Sequence, residues 1–335
     1  MLTLENFWAA VLALALLLYV VLDGFDLGVG ILFGFTRSQD ARRHLVATVS
    51  PVWDGNETWL VVSASVLFAA FPMTYALLLS AFYLPLCLML AALILRGVAF
   101  EFREKAGPAM RRIWDLGFAG GSLVAAFMQG STVGALVAGL PVGPDGRFIG
   151  HGAFDWLSPF ALLCGMGLCL GDALLGAAWL VLKSEGEMRD RAYRLIPRLL
   201  AGVLWFLACA FADSISMHLQ VMHRWIDRPW LIAFPAVGIL SVAALLLGVR
   251  RRRDAWPFAA VAMIFGAAFA TLAASFLPYM APYSVTIAQA AAPNSSLSFL
   301  FWGAGLFVLP LMLLYTVCLY AVFRGKTPPD AEPYL

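Results

Sequence analysis

Two pairs of carboxylates interrupt apolar runs that are long enough to cross a bilayer. Asp23 and Asp26 fall within Leu22-Asp23-Gly24-Phe25-Asp26-Leu27-Gly28-Val29-Gly30, and Asp54 and Glu57 open the next run in Ser50-Pro51-Val52-Trp53-Asp54-Gly55-Asn56-Glu57-Thr58-Trp59-Leu60. A carboxylate in hydrocarbon costs roughly 2.5 kcal/mol or more, so such acids face a wet or protein-lined interior and by default serve proton or ion traffic. The members of each pair are three residues apart, which on a helix puts them on one face; Asp23 and Asp26 share theirs with Tyr19 and Gly30. Gly24 and Gly28 lie beside that face, where a neighbouring backbone can come close. Ser50 suits a helix N-cap and Pro51 the first helical position, and the short connection makes the two helices antiparallel neighbours. Four acids then converge between two adjacent spans.

These acids form a graded series, with Asp54 one turn from the inner edge and Asp26 and Asp23 progressively deeper. Together with Glu57 they read as a proton or cation path. A competing reading is a structural ion-pair cluster in which Arg96, Glu101 and Arg103, at the inner end of the third span, supply the partners. Asp172 and Asp213, single acids in the fifth and sixth spans, are open between structural and partner-facing roles.

The elements that must position these residues are membrane helices. The chain of 335 residues is 62% hydrophobic and 13% charged, with mean hydropathy +0.86. Soluble domains run nearer ~45–50% apolar and ~25% charged, which excludes that class. Apolar runs separated by polar breaks predict an all-α polytopic protein with nine spans, at 7–35, 51–71, 73–100, 113–140, 157–182, 196–221, 230–249, 256–280 and 298–323. The break at Phe71-Pro72-Met73 is kept because it lets 19 of the 22 Lys and Arg fall on one side, leaving Arg147, Arg224 and Arg228 on the other. By the positive-inside rule the N-terminus is then periplasmic and the C-terminus cytoplasmic. Glu5, with no basic residue before the first apolar run, argues against a cleaved signal peptide.

The loops are too short for an extramembrane domain, so residues 1–335 read as a single transmembrane domain. A faint internal repeat pairs 1–140 with 157–280, because Gly171-Asp172-Ala173-Leu174-Leu175-Gly176-Ala177 echoes the acid and glycine spacing of the first span. That gives two four-helix bundles and one peripheral helix at 298–323. The outer connections Leu140 to Trp156 and Ala281 to Leu297, nearly uncharged, read as docked rather than extended into water. The five cysteines lack metal-ligand spacing and read as buried small hydrophobes. His44 and His151 fall in loops, while His218 and His223 stand with Met217 and Met222 at the outer end of the sixth span; none pairs as a haem ligand set within the spans.

The stretches Asp23 to Gly30 and Pro51 to Leu60, with Leu95-Arg96-Gly97-Val98-Ala99-Phe100-Glu101-Phe102-Arg103, together resemble subunit II of the cytochrome bd family of quinol oxidases, including its cyanide-insensitive branch. The resemblance implies a heterodimer of the bacterial inner membrane that oxidises quinol, reduces oxygen to water and builds a proton gradient without pumping. It assigns the b-type and d-type haems and the quinol-oxidising loop to subunit I, and no cofactor to this chain. Subunit II is implied to stabilise the assembly and to contribute carboxylates to the cytoplasmic proton path, with Asp54, Asp26 and Asp23 at the matching motif positions. Glu57 stands where other members vary. Implied partners are subunit I, a small single-helix subunit, membrane lipid and quinone, with no nucleic acid. The loop after the sixth span is shorter than in longer members, which departs from any loop-dependent quinone site. An ion-coupled transporter using the same acids is the alternative from a different class, and a scaffold without a proton role is a third.

Overall fold

The computed structural model describes residues 3–150, 152–217, 225 and 228–328. Helix α1 (Leu4–Gly34) starts where the Thr3 side chain accepts from the Asn6 amide, and α2 (Gln39–Val49) starts the same way at Ser38. Then come α3 (Trp53–Ala70), α4 (Pro72–Arg103), α5 (Pro108–Ala138), α6 (Pro159–Lys183) and α7 (Gly186–Ser216). Three of these open on a proline, whose missing amide costs nothing in a first helical turn. After a 3-10 turn at Pro229–Ile232 follow α8 (Ala233–Arg250) and α9 (Ala255–Phe276), a small hairpin of β1 (Tyr279–Ala281) and β2 (Val285–Thr286), and the short α10 (Ile287–Ala290). The last span runs from α11 (Asn294–Leu300) through a π-helical stretch, Phe301–Val308, into α12 (Leu309–Val322).

Among the described residues, eight helical segments are long and apolar enough to cross a membrane. Helix α3, 18 residues long, is not among them, because Asp54, Asn56 and Glu57 crowd its first two turns. The break at Pro72 is present, with α3 ending at Ala70 and α4 beginning at Pro72. Two expectations at the start of the second span are corrected. The connection from α1 to α3 carries the extra helix α2, and Ser50 is the C-cap of that helix rather than an N-cap; α3 starts at Trp53, with Val52 as its cap and no side-chain cap bond. The polar first half of 39–49, Gln39 to His44, had hidden a helix that buries His44, Leu45, Val46, Ala47, Thr48 and Val49 on the bundle. Helix α7 begins ten residues before the expected 196, since its Arg-rich first turns continue the apolar helix beyond the hydrocarbon.

Helix α1 is the axis of the bundle, packed on α6, α3, α5, α2 and α9. Its inner half is buried without a break from Asp23 to Phe33. The closest approach is at α6, where a Cβ built on Gly28 would sit 1.8 Å from the backbone oxygen of Asp172, and one on Gly176 would sit 2.5 Å from the Gly28 carbonyl carbon. Only glycines let the two backbones touch there. Below the contact Phe25 stacks on Trp179, ring centroids 4.0 Å apart. At the other end of α1 the loop residues Leu140, Val142, Phe148, Ala281, Val285 and Ile287 pack with Trp8, Val11 and Leu12. Both outer connections therefore dock on this chain itself.

Candidate functional site

The site is built where α1, α3 and α4 meet. Asp23 and Asp26 leave α1 on adjacent turns of its buried half, and Arg96 reaches them from α4. Helix α5 presses Arg96 into place, because Gly121 lets the α4 backbone in: a Cβ there would lie 2.6 Å from the Ala92 oxygen and 3.2 Å from the Arg96 Cβ. Arg96 Nη2 donates to Asp23 Oδ1 at 2.7 Å and to Glu57 Oε2 at 3.1 Å. The Arg96 and Asp23 side chains are wholly buried, while Glu57 keeps 26% exposure. One cation is thus shared between two carboxylates, in an interior where losing either sign leaves an expensive unpaired charge.

Asp26 belongs to a separate polar chain. Asn56 Nδ2 donates to Asp26 Oδ2 at 2.8 Å and to the Leu22 carbonyl at 3.3 Å, and Asn56 Oδ1 accepts from the Tyr320 hydroxyl at 2.8 Å. Asp54 stands exposed in the first turn of α3, one helical turn before Glu57. Tyr19, one turn outward from Asp23, accepts a hydrogen bond from Gln129 of α5 at 2.6 Å. The four acids of the sequence motif therefore divide. Asp23 and Glu57 meet on Arg96, Asp26 meets Asn56, and Asp54 guards the edge.

Arg103 sits in a second cluster, near the end of α4. Its Nε donates to Asp115 Oδ1 at 2.6 Å, Arg42 Nη1 donates to Asp115 Oδ2 at 2.7 Å, and Glu104 and Gln39 complete the group. Glu101 takes no part in either cluster; it is half-exposed and 4.0 Å from Lys105. Asp172 is 1% exposed, with its Oδ1 3.1 Å from where a Cβ on Gly24 would stand. Asp213 accepts from the Ser216 hydroxyl near the end of α7. Asn56, Tyr320 and Asp115 were missed by sequence reasoning. Asn56 carried a signal, lying between two site acids, but nothing local marked Tyr320, 264 residues further along.

Outside the spans, two groups titrate away from their usual range. Burial pushes the His44 imidazole down, against a hydrogen bond to the Pro328 backbone that pulls it up. Partial burial raises the Asp254 carboxyl, but hydrogen bonds from Lys326, Arg189 and Tyr193 outweigh it and hold the group below the ordinary carboxylate range.

His44 does not fit a haem iron. Its Nε2 lies 3.0 Å from the Ser184 hydroxyl and the ring is packed between α2 and α6. His151, His218, His223 and Met222 lie outside the described residues, and among the described residues no group of His, Cys, Asp and Glu gathers as a metal site. A groove of about 850 Å³ between α1, α5, α6 and α7 is lined by apolar side chains, with Arg191 at one end and no histidine.

Residues 4–323 match the family described as cytochrome bd terminal oxidase subunit II. The chain is 31% identical over 338 residues to the cytochrome bd ubiquinol oxidase subunit 2 of Bacillus subtilis, covering 97% of both chains. It is 30% identical over 373 residues to the cytochrome bd-I ubiquinol oxidase subunit 2 of Escherichia coli, covering 98% of this chain and 97% of that one. Among solved structures, the bd oxidase from Geobacillus thermodenitrificans superposes with a TM-score of 0.75 at 19% identity, covering 95% of this chain and 99% of the other. That likeness concerns the fold.

Proposed function

This chain belongs to the cytochrome bd terminal oxidase subunit II family, and from that premise we propose that it is the non-haem-ligating subunit of a quinol oxidase, guiding protons to the partner that reduces oxygen. The observation that carries the reading is the buried Arg96 shared by Asp23 and Glu57, one helical turn from exposed Asp54. A proton taken from water by Asp54 passes to Glu57 on the next turn of the same helix. Beside the guanidinium it is exchanged with Asp23, the Arg96 charge steadying whichever carboxylate is ionised. Asp26, held by Asn56, which Tyr320 in turn holds, supplies a second carboxyl at the level between Asp54 and Asp23. Glu57 remains partly open on the outside of the bundle, and a second subunit covering that side completes the shielding. The haems, of b and d type, and the quinol site belong to that subunit, where bound haem supplies the electron transfer to oxygen. A small single-helix subunit, lipid and quinone complete the assembly.

The same reading makes α3 the ninth span, with the N-terminus periplasmic and the C-terminus cytoplasmic in a bacterial inner membrane. Arg103, Arg42 and the Arg250–Arg253 run then share the cytoplasmic side. The two four-helix bundles related by an internal repeat, 1–140 and 157–280, then meet at the crossing of α1 and α6 on Gly28 and Gly176, glycines of the two stretches whose spacing echoes. Arg96 and Arg103 stabilise this arrangement through their ion pairs, whereas Glu101 contributes little. The transporter alternative has no observation in its favour.

Asp54→Asn tests the path. The exposed side chain makes no ion pair among the described residues, so the variant is expected to assemble with full haem while oxygen consumption with quinol falls; Asp54→Glu retains part of the activity. Turnover equal to the parent across the pH range refutes the path, and joint loss of haem and partner makes the acid structural.

A further inference from the structure

We propose that Asp172 is a buried carboxylic acid that stores a proton in the resting protein and exchanges it with Asp23 through bound water. The inference concerns a residue of α6 that the Asp54–Glu57–Asp23 route does not use, although it presumes that protons reach this level of the bundle.

The first argument is charge. The described residues bury Asp23 and Asp172 on the packed helices α1 and α6, and pair Asp23 and the partly exposed Glu57 with Arg96. Arg96 carries a single positive charge and already pairs with two partly or wholly buried carboxylates, Asp23 and Glu57. An ionised Asp172 would add an uncompensated charge in a site 1% exposed, in the low-dielectric interior of the bundle. Among the described residues it makes no ion pair, and its Oδ2 has no hydrogen-bond partner. Its Oδ1 lies against Gly24 of α1, and the titratable groups that feel its charge are Asp23 and Tyr19 of α1 and Cys169 on its own helix. Helix α9 brings only Phe265, against Gly171, and α5 meets Cys169 with the Leu123 carbonyl.

The second argument is hydrogen bonding. Asp23 Oδ2, Asp26 Oδ1, Asp172 Oδ2, Arg96 Nε and Arg96 Nη1 are all buried without a protein partner. Two donors and three acceptors left open in the buried interior call for water, which can both accept from the guanidinium and donate to the carboxyls, and so for a small hydrated pocket. The Asp172 carboxyl reaches that pocket over Gly24, where a larger residue would meet its Oδ1. Transfer is balanced within the pocket. Asp172 gives its proton to water, the water gives one to ionised Asp23, and Asp172 becomes the carboxylate.

Infrared difference spectroscopy on the intact purified complex tests this directly. The parent spectrum minus that of Asp172→Asn is expected to contain one carboxylic-acid C=O stretch at neutral pH, and that band shifts in heavy water. Asn has the shape of the protonated acid, so the variant assembles with the yield and haem content of the parent. Loss of carboxylate bands instead of the C=O stretch overturns the proposal, as does failure of the Asn variant to assemble, which would mean that a charge is required. A C=O band indifferent to heavy water overturns the hydrated exchange. None of these readouts depends on turnover, so they stay separate from an unchanged oxidase rate in Asp54→Asn, which defeats the path alone.

Discussion

Arg96→Leu removes the one buried cation that Asp23 and Glu57 share, and the structure sets the size of the damage. Asp23 and Arg96 are fully buried at 2.7 Å, so neither can turn to water when its partner goes. Deleting one member of such a pair costs about 3–5 kcal/mol, since the surviving charge keeps its desolvation penalty without its compensation. Glu57, 26% exposed, recovers part of its hydration and adds less. At about 1.4 kcal/mol per tenfold, the folded-to-unfolded ratio falls by roughly two to three and a half powers of ten. The double variant Arg96→Leu/Asp23→Asn leaves no wholly buried partner stranded, and is expected to regain about 1–3 kcal/mol of coupling. Unfolding of the purified complex titrated with a denaturing detergent, read by circular dichroism, measures all four corners of the cycle. A loss below about 1 kcal/mol in Arg96→Leu, or a double variant no better than the single one, refutes the shared-cation account.

Gly28→Ala should destabilise the α1–α6 crossing by about 1–3 kcal/mol or more, because the new Cβ would fall 1.8 Å from the Asp172 backbone oxygen. Gly120→Ala meets nothing within 4 Å and should be neutral or slightly stabilising, so equal thermal shifts for the two would sink the packing argument. Asp254 anchors Lys326, which follows the last span, and its carboxyl sits below the usual range. A depressed carboxyl stabilises fully above its unfolded value, and that contribution is lost as pH falls through its folded value. The protection factor of the Thr327 amide, bonded to the Lys183 carbonyl, should therefore fall on acidification below the ordinary carboxylate range and stay constant around neutrality. A change in its protection near neutral pH would point to another anchor.

Composition alone determined the membrane class, since 62% hydrophobic residues cannot be reconciled with a soluble surface. The acids of α1 and α3 were legible for a related reason: an Asp in an apolar run stands out against its surroundings, and helical spacing says which residues share its face. Spacing also picked out Gly24 and Gly28 as a crossing point, though not the helix that crosses there. Helix α2 escaped because Asp40, Arg42, Arg43 and His44 in its first half look like a loop until Leu45, Val46 and Val49 have a bundle to bury against. Partners separated along the chain were decided only in three dimensions. Nothing near Asp23 in the sequence distinguishes Arg96 from Arg103, yet Arg96 enters the pocket and Arg103 is captured by Asp115. Tyr320 and Asp172 arrive from α12 and α6, at distances along the chain that no helical period spans. Periodicity reports the face a residue occupies, whereas the charge balance of a buried pocket depends on every helix that lines it.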